Sequence, residues 1–252
     1  MADPFRLDGR AALVTGANTG LGRAIALALA EAGANIAAVA RRDSKETGEA
    51  VAKVGRKFLE LRADLSSTAP INEIVRRTRE TFGRLDILIN NAGIIRRADA
   101  IDFTEEDWDA VVDTNLKSAF FLAQEAGRAM LADGKGGKIV NVASMLSFQG
   151  GIRVASYTAS KSGIAGITRL LANEWAGKGI NVNAIAPGYF ETDNTEALRK
   201  DATRSSEILG RIPAGRWGKP PDLGGAAVFL SSSAADYVHG TVLAVDGGWL
   251  AR

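Results

Sequence analysis

The chemistry in this sequence begins with Tyr157-Thr158-Ala159-Ser160-Lys161, inside a stretch of helical period. Residues four apart on a helix share a face, so the Tyr157 hydroxyl and the Lys161 ammonium can lie together. A neighbouring ammonium favours the phenolate and moves tyrosine towards a range where it exchanges protons near neutral pH. Ser144 lies just after the apolar run Ile139-Val140-Asn141-Val142 and can donate a hydrogen bond to a substrate oxygen. A phenol, an amine and a hydroxyl together can pass a proton to or from a substrate oxygen.

Two further segments read as backbone that faces a ligand. Thr15-Gly16-Ala17-Asn18-Thr19-Gly20-Leu21-Gly22 lies between an apolar run and a helical pattern. Its glycines let the chain turn tightly and approach a diphosphate, while the helix N-terminus offers free N–H groups and a positive dipole end. The spacing G-x-x-x-G-x-G differs from the more usual fingerprint G-x-G-x-x-G. Asn90-Asn91-Ala92-Gly93 follows Ile87-Leu88-Ile89, at the C-terminal end of a strand, where open α/β sheets bind ligands. The second strand ends Ala38-Val39-Ala40-Arg41-Arg42-Asp43. An acid there commonly holds a ribose 2′-hydroxyl, whereas arginine accommodates a 2′-phosphate. Ala40 followed by Arg41 favours NADP(H), and Asp43 keeps NAD(H) open.

These residues need a scaffold, and the hydrophobic pattern describes one. Short apolar runs at Ala11–Val14, Ile36–Val39, Phe58–Leu61, Ile87–Ile89, Ile139–Val142, Ile180–Ile185 and Val242–Val245 alternate with helical segments. Those segments include Leu21–Ala32, Ile71–Phe82, a long one at Glu105–Leu131, and Ser156–Ala176. Continuous apolar strands between helices predict a seven-stranded parallel sheet covered on both faces, a doubly wound Rossmann-type α/β fold. With no repeat or linker, residues 1–252 read as one dinucleotide-binding and catalytic domain. Gly188–Arg216 reads as a long irregular segment, the expected substrate loop or lid.

Composition narrows the chemistry. A net charge of +2 without a basic tract points away from nucleic acid and anionic membranes. The absence of cysteine removes disulfides and thiolate catalysis, and with one histidine, His239, a metal centre rich in Cys or His is excluded. A Ser-His-Asp hydrolase would have to use His239, which sits in a turn-like Tyr237-Val238-His239-Gly240 before the last strand. The N-terminus lacks the build of a signal peptide, and the most apolar stretch, Ala24–Ala40, is interrupted by Glu31, Gly33 and Asn35. A cytoplasmic, soluble protein is expected.

In this order and spacing the glycine turn, Asn-Asn-Ala-Gly, Ser144 and Tyr-x-x-x-Lys resemble the short-chain dehydrogenase/reductase family. Asn115, in Asp113-Thr114-Asn115, matches the helix asparagine of that family, and Pro187-Gly188 followed by Thr192 matches its contact to the nicotinamide amide. The resemblance runs from the first strand to Val245-Asp246-Gly247-Gly248 and implies hydride exchange between NAD(H) or NADP(H) and a carbonyl or secondary alcohol. It implies Tyr157 as general acid or base, Lys161 lowering its pKa and binding the nicotinamide ribose, and Ser144 holding the carbonyl oxygen. It further implies that Asn115 keeps a water linking Lys161 to solvent, that Asp64 in Ala63-Asp64-Leu65 meets the adenine, and that Asn91 braces the central strand.

The second half is similar to a narrower group of that family, enzymes of uronate breakdown that act on sugar acids such as 2-deoxy-D-gluconate or 2-dehydro-3-deoxy-D-gluconate. The segments that carry this likeness are Ser144–Arg153, Ala186–Tyr189, Asp193-Asn194-Thr195, Arg211–Gly218 and Asp246–Arg252. Members are typically NAD-dependent homotetramers, which pulls against the reading of Arg41, and Trp249 suits an interface anchor or an internal core position. A carboxylate wants a charge-assisted, bidentate arginine. Arg97 and Arg153 are the candidates, with Arg96 beside them, Gln149 for hydroxyls, and pairing with Asp99 or Glu191 as the alternative. Two other activities fit the same residues: a 3-oxoacyl-thioester reductase and a non-catalytic dinucleotide sensor. The thioester enzyme would want an apolar groove, and a sensor could dispense with Tyr157 or Lys161.

Overall fold

Strands form where β-branched and small apolar residues gather in short runs between the helical segments. The computed structural model describes residues 3–252. Among them, β1 (Ala11–Thr15), β2 (Asn35–Ala40), β3 (Phe58–Arg62), β4 (Ile87–Asn90), β5 (Gly137–Val142), β6 (Ile180–Pro187) and β7 (Val242–Val245) form one sheet. All its pairs are parallel, in the order β3-β2-β1-β4-β5-β6-β7. This is the doubly wound α/β arrangement read from the pattern. The winding reverses between β1 and β4, which opens a crevice beyond their C-terminal ends.

The helices are α1 (Gly20–Glu31), α2 (Lys45–Lys53), α3 (Ile71–Phe82), α4 (Glu105–Val112), α5 (Ser118–Asp133) and α6 (Ala155–Trp175), then α7 (Glu196–Lys200), α8 (Ala202–Arg211) and α9 (Gly224–Ser231). Successive strand residues point to opposite faces, and β1 feeds both cores. Ala12 and Val14 pack with Ile25 and Leu29 of α1 and Ala227 and Leu230 of α9. Leu13, between them, packs with Ile74 of α3, Leu122 and Met130 of α5 and Leu171 of α6. Each of the larger side chains among these, Val, Leu, Ile or Met, contributes about 1.5–3 kcal/mol when fully buried, so the sheet is held rigidly under the crevice.

The structure departs from the pattern in three places. The long helix expected over Glu105–Leu131 is split by a π-helical turn, Asp113–Lys117, which buries Asn115. Gly188–Arg216 is largely ordered rather than irregular, because α7 and α8 occupy its middle. Asp201 caps α8 by accepting from the Arg204 N–H at 3.0 Å, and Ile208 packs with Met145, Ile212, Trp217 and Trp249. His239 precedes β7, as read, but is half-buried, with Nε2 3.2 Å from Asn181 Nδ2. Among the described residues no helix is long and apolar enough to cross a membrane, and no three His, Asp or Glu side chains cluster as metal ligands would.

Candidate active site

The site starts with the turn between β1 and α1. Thr15 Oγ1 accepts from the N–H groups of Asn91 and Ala92, each at 2.9 Å. Asn91 Nδ2 in turn donates to the Thr15 carbonyl at 2.8 Å and to that of Gly16 at 3.4 Å. The end of β4 is thereby tied to the glycine turn. From the other side, Thr47 of α2 donates to the Ala17 carbonyl at 2.9 Å. Gly16 and Gly20 have φ of 65° and 55°, in the left-handed region where a side chain is strained. A Cβ on Gly22 would stand 2.2 Å from the Gly16 carbonyl oxygen and 2.4 Å from Asn91 Nδ2, so only glycine fits.

This turn fits a diphosphate. The first turn of α1 carries no acidic residue, and its N-cap, Thr19, makes no side-chain bond to it. Its N–H groups and dipole end are thus left for an anion in the cleft above. That cleft has a volume of about 970 Å³ and runs from Arg41 to Trp249. Every residue read as dinucleotide-binding lines it: Gly16, Asn18, Thr19, Gly20, Leu21, Gly22, Arg41, Asp64, Leu65, Asn91, Ala92, Gly93, Tyr157, Lys161, Pro187, Gly188 and Thr192. At one end, beyond the buried Ala40, Arg41 and Arg42 are exposed and form no ion pair among the described residues. Asp64 accepts from the Ser66 N–H at 2.9 Å. At the other end the Gly188 N–H donates to the Val245 carbonyl at 3.0 Å, so the chain leaves β6 pinned beside β7.

The reactive side chains stand where β5 and α6 meet. Ser144 lies two residues beyond β5, and its hydroxyl hydrogen-bonds the side chain of Tyr157. Lys161, one helical turn on, is buried, with Nζ donating to the Val142 carbonyl at 2.6 Å and lying 5.6 Å from the centre of the Tyr157 ring. Burial lowers the Lys161 pKa from 10.5 to about 8. Burial pushes Tyr157 above its ordinary value, opposed by the Ser144 hydrogen bond and by the Arg97 charge. The spacing had pointed to Lys161 as the cation that lowers Tyr157. In the folded chain its ammonium donates to the Val142 carbonyl and lies 5.6 Å from the centre of the Tyr157 ring, and the Arg97 charge also bears on Tyr157.

Asn115 does not line the cleft. Its Oδ1 accepts from the Ile94 N–H at 2.8 Å, and its Nδ2 donates to the Ile94 carbonyl at 2.9 Å and to Ser160 Oγ at 3.4 Å. The side chain is therefore committed to protein groups, fastening the segment after Gly93 to α6. A chain of buried polar groups behind it went unnoticed in the sequence. Asn90 Nδ2 donates to Asn141 Oδ1, and Asn141 Nδ2 to Thr168 Oγ1, each at 2.9 Å, joining β4, β5 and α6. The signal was present: an asparagine inside a fully apolar strand must find partners.

At the outer end of the cleft, Arg97 and Gln149 line the wall as expected. Arg153 does not. It lies outside the cleft with φ of 63°, and its Nε stands 3.1 Å from Asp99. The Ala98 N–H donates to the Arg153 carbonyl at 3.2 Å, which lays the two segments side by side and places Asp99 opposite the guanidinium. The substrate assignment of Arg153 is thereby corrected. Trp249 is buried within its own chain, its ring 4.8 Å from that of Tyr189 and its Nε1 donating to Gln149 Oε1 at 3.3 Å. That rules it out as an anchor between subunits. Tyr189, Arg204, Glu207 and Arg211 also line the cleft. Sequence reasoning did not assign them to the site because the whole segment 188–216 was read as irregular chain.

Comparison with known proteins agrees with this geometry. A family model described as enoyl-(acyl carrier protein) reductase matches residues 16–250. The chain is 61% identical, over 98% of both sequences, to the 2-dehydro-3-deoxy-D-gluconate 5-dehydrogenase of Dickeya dadantii. A solved structure from Agrobacterium tumefaciens with bound NADP, provisionally described as a 2-deoxy-D-gluconate 3-dehydrogenase, is 60% identical with a TM-score of 0.92, covering 99% of this chain and 100% of that one. The gluconate 5-dehydrogenase of Burkholderia cenocepacia, in complex with NADP and tartrate, is 40% identical with a TM-score of 0.94, covering 99% of this chain and 98% of that one.

Proposed function

The chain belongs to the short-chain dehydrogenase/reductase family, and we propose that it interconverts a ketone and a secondary alcohol on a sugar acid of the 2-dehydro-3-deoxy-D-gluconate class. The observation that carries this reading is the gathering of Ser144, Tyr157 and Lys161 in the same cleft as the glycine turn, with Arg97 and Gln149 on its outer wall. The glycine turn and the cleft above it would hold NAD(H) or NADP(H), which would supply the hydride chemistry when bound. Ser144 holds the substrate oxygen in place. Tyr157 gives its hydroxyl proton to that oxygen in reduction and takes the proton back in oxidation. Lys161, with its pKa near 8, is poised to hold the ribose and to pass protons on. Asn115 positions the Ile94 segment against α6.

The charge of the outer wall separates this reading from an acyl-thioester reductase, despite the description of the matched family. An acyl chain needs an apolar groove, whereas Arg97 and Arg211 line this end. The same wall, and the presence of both Tyr157 and Lys161, argue for turnover rather than a dinucleotide sensor.

The first experiment is steady-state turnover of 2-dehydro-3-deoxy-D-gluconate with NAD(H) and with NADP(H). Absence of turnover with either cofactor sinks the substrate reading. Arg41 beside Ala40 supports acceptance of NADP(H) through a charge-assisted bond to the 2′-phosphate. Replacing it, Arg41→Ala, is expected to lower kcat/KM with NADP(H) about 10- to 100-fold and to leave NAD(H) within about twofold. Equal losses with both cofactors would remove Arg41 from this role.

A homotetramer in the cytoplasm belongs to the same proposal. Trp108 of α4, Phe121 and Leu131 of α5 and Leu170 of α6 are each more than a third exposed, and association would cover such apolar surface. Light scattering on the purified protein is expected to give four times the chain mass of 26.5 kDa. A monomeric mass would contradict it.

A further inference from the structure

The wall of the cleft also holds a cation whose surroundings are built to keep it open. Arg211 ends α8, and its guanidinium carbon lies 4.0 Å from the centre of the Trp249 ring. Among the described residues no carboxylate pairs with it. Other arginines differ: Arg204 pairs with Glu207 at 2.8 Å, Arg96 with Asp107 at 3.0 Å and Arg153 with Asp99 at 3.1 Å. Stacking uses one flat face of a guanidinium and leaves the N–H groups on its edge available, in the fork that matches a carboxylate.

The platform under Arg211 is itself fixed. Trp249 is held by its bond to Gln149 and by the edge of Tyr189, whose ring also meets Trp217 at 5.5 Å. The turn that delivers Trp249 is tied by Asp246, which accepts from the N–H groups of Gly248 and Leu250 at 2.9 Å each. The backbone of Arg211 is held too. The Arg252 guanidinium donates to the Gly210 carbonyl at 2.8 Å and the Arg211 carbonyl at 3.2 Å, satisfying acceptors that a helix C-terminus leaves open.

We propose that Arg211 binds the carboxylate of the substrate, held by Trp249, so that the C-terminal turn of the chain is a specificity element. This rests on the sugar-acid reading above and takes the place that the sequence had offered to Arg153. Trp249 acts as a positioning residue, since it touches the cation and not the reacting atoms.

The test compares 2-dehydro-3-deoxy-D-gluconate with its amide, which keeps the carbon skeleton and loses the charge. Arg211→Ala is expected to raise KM for the acid about 10- to 100-fold, the loss of a charge-assisted bond, with kcat changed less than about threefold and the amide affected less than about twofold. Arg211→Lys should recover only part of the loss, because an ammonium lacks the planar fork. Trp249→Leu should raise KM for the acid by a smaller factor, again sparing the amide. Equal effects on acid and amide, or an unchanged KM for the acid, overturn the assignment. A wild-type enzyme that treats acid and amide alike overturns the sugar-acid reading itself, and that failure is visible before any variant is made.

Discussion

Tyr157→Phe is expected to lower kcat by about 10³-fold while leaving dinucleotide affinity within about twofold, since loss of a general acid or base typically costs 10²–10⁴. The ring remains, and the glycine turn that would hold the diphosphate, between β1 and α1, is a separate part of the cleft. The direction of the tyrosine shift adds a second signature. Burial raises its pKa, and the Ser144 hydrogen bond and the Arg97 charge oppose that rise. The phenol is therefore protonated at neutral pH, ready to donate in reduction, and must lose its proton before it can serve oxidation. Oxidation by the wild type should accelerate as pH rises through the neutral and alkaline range, and the residual rate of Tyr157→Phe should lack that dependence. Stopped-flow binding of NADPH together with initial rates across pH measures both. A variant that keeps a tenth of the wild-type kcat would remove Tyr157 from the reaction.

The second large effect concerns Lys161, whose replacement by methionine separates catalysis from stability. Lys161→Met keeps the buried stem and removes the ammonium, and kcat should fall by about 10²- to 10³-fold. Its pKa is about 8 in the folded chain against an ordinary value of 10.5. Between those two values the unfolded chain holds a proton that the folded chain has released. Stability therefore rises with pH across that window, and the cost of burying the ammonium is fully present below it. At about 1.4 kcal/mol per unit, the wild type should gain on the order of 3 kcal/mol relative to Lys161→Met on going from about pH 8 to about pH 10.5. The variant also leaves the Val142 carbonyl without its partner, a cost of about 1–3 kcal/mol that does not depend on pH. That offset displaces the variant's curve without tilting it. Denaturant unfolding of both proteins over the window is the measurement, and parallel curves would show that Lys161 is not buried as a charge.

The fold was legible because its signals are local. Apolar runs with the strand length of Ile87–Asn90 or Ile180–Pro187 can bury both faces only under helices, and parallel order follows from the helices between them. The glycine turn was legible for a similar reason, since only glycine survives where a Cβ would meet the Gly16 carbonyl or where φ is positive. Asn91, which the family resemblance assigned to bracing the central strand, donates its side-chain amide to the Thr15 carbonyl. The π-helical turn at Asp113–Lys117 was not legible, because it preserves helical periodicity on either side and only shifts the register enough to bury Asn115.

By itself, then, the sequence determined the seven-stranded α/β architecture, the dinucleotide turn and the Tyr157–Lys161 pair, since each rests on residue type and on spacing within one element. The tertiary structure alone decided the charges around them. It gave Arg153 to Asp99, seated Trp249 inside its own chain, turned Lys161 to Val142, and set Arg211 on the Trp249 ring. Gln149 and Trp249 meet across 100 positions of chain, and no periodicity reaches so far. The partner of a long, flexible arginine depends on which segments the sheet brings side by side, and that is settled by packing rather than by order in the sequence.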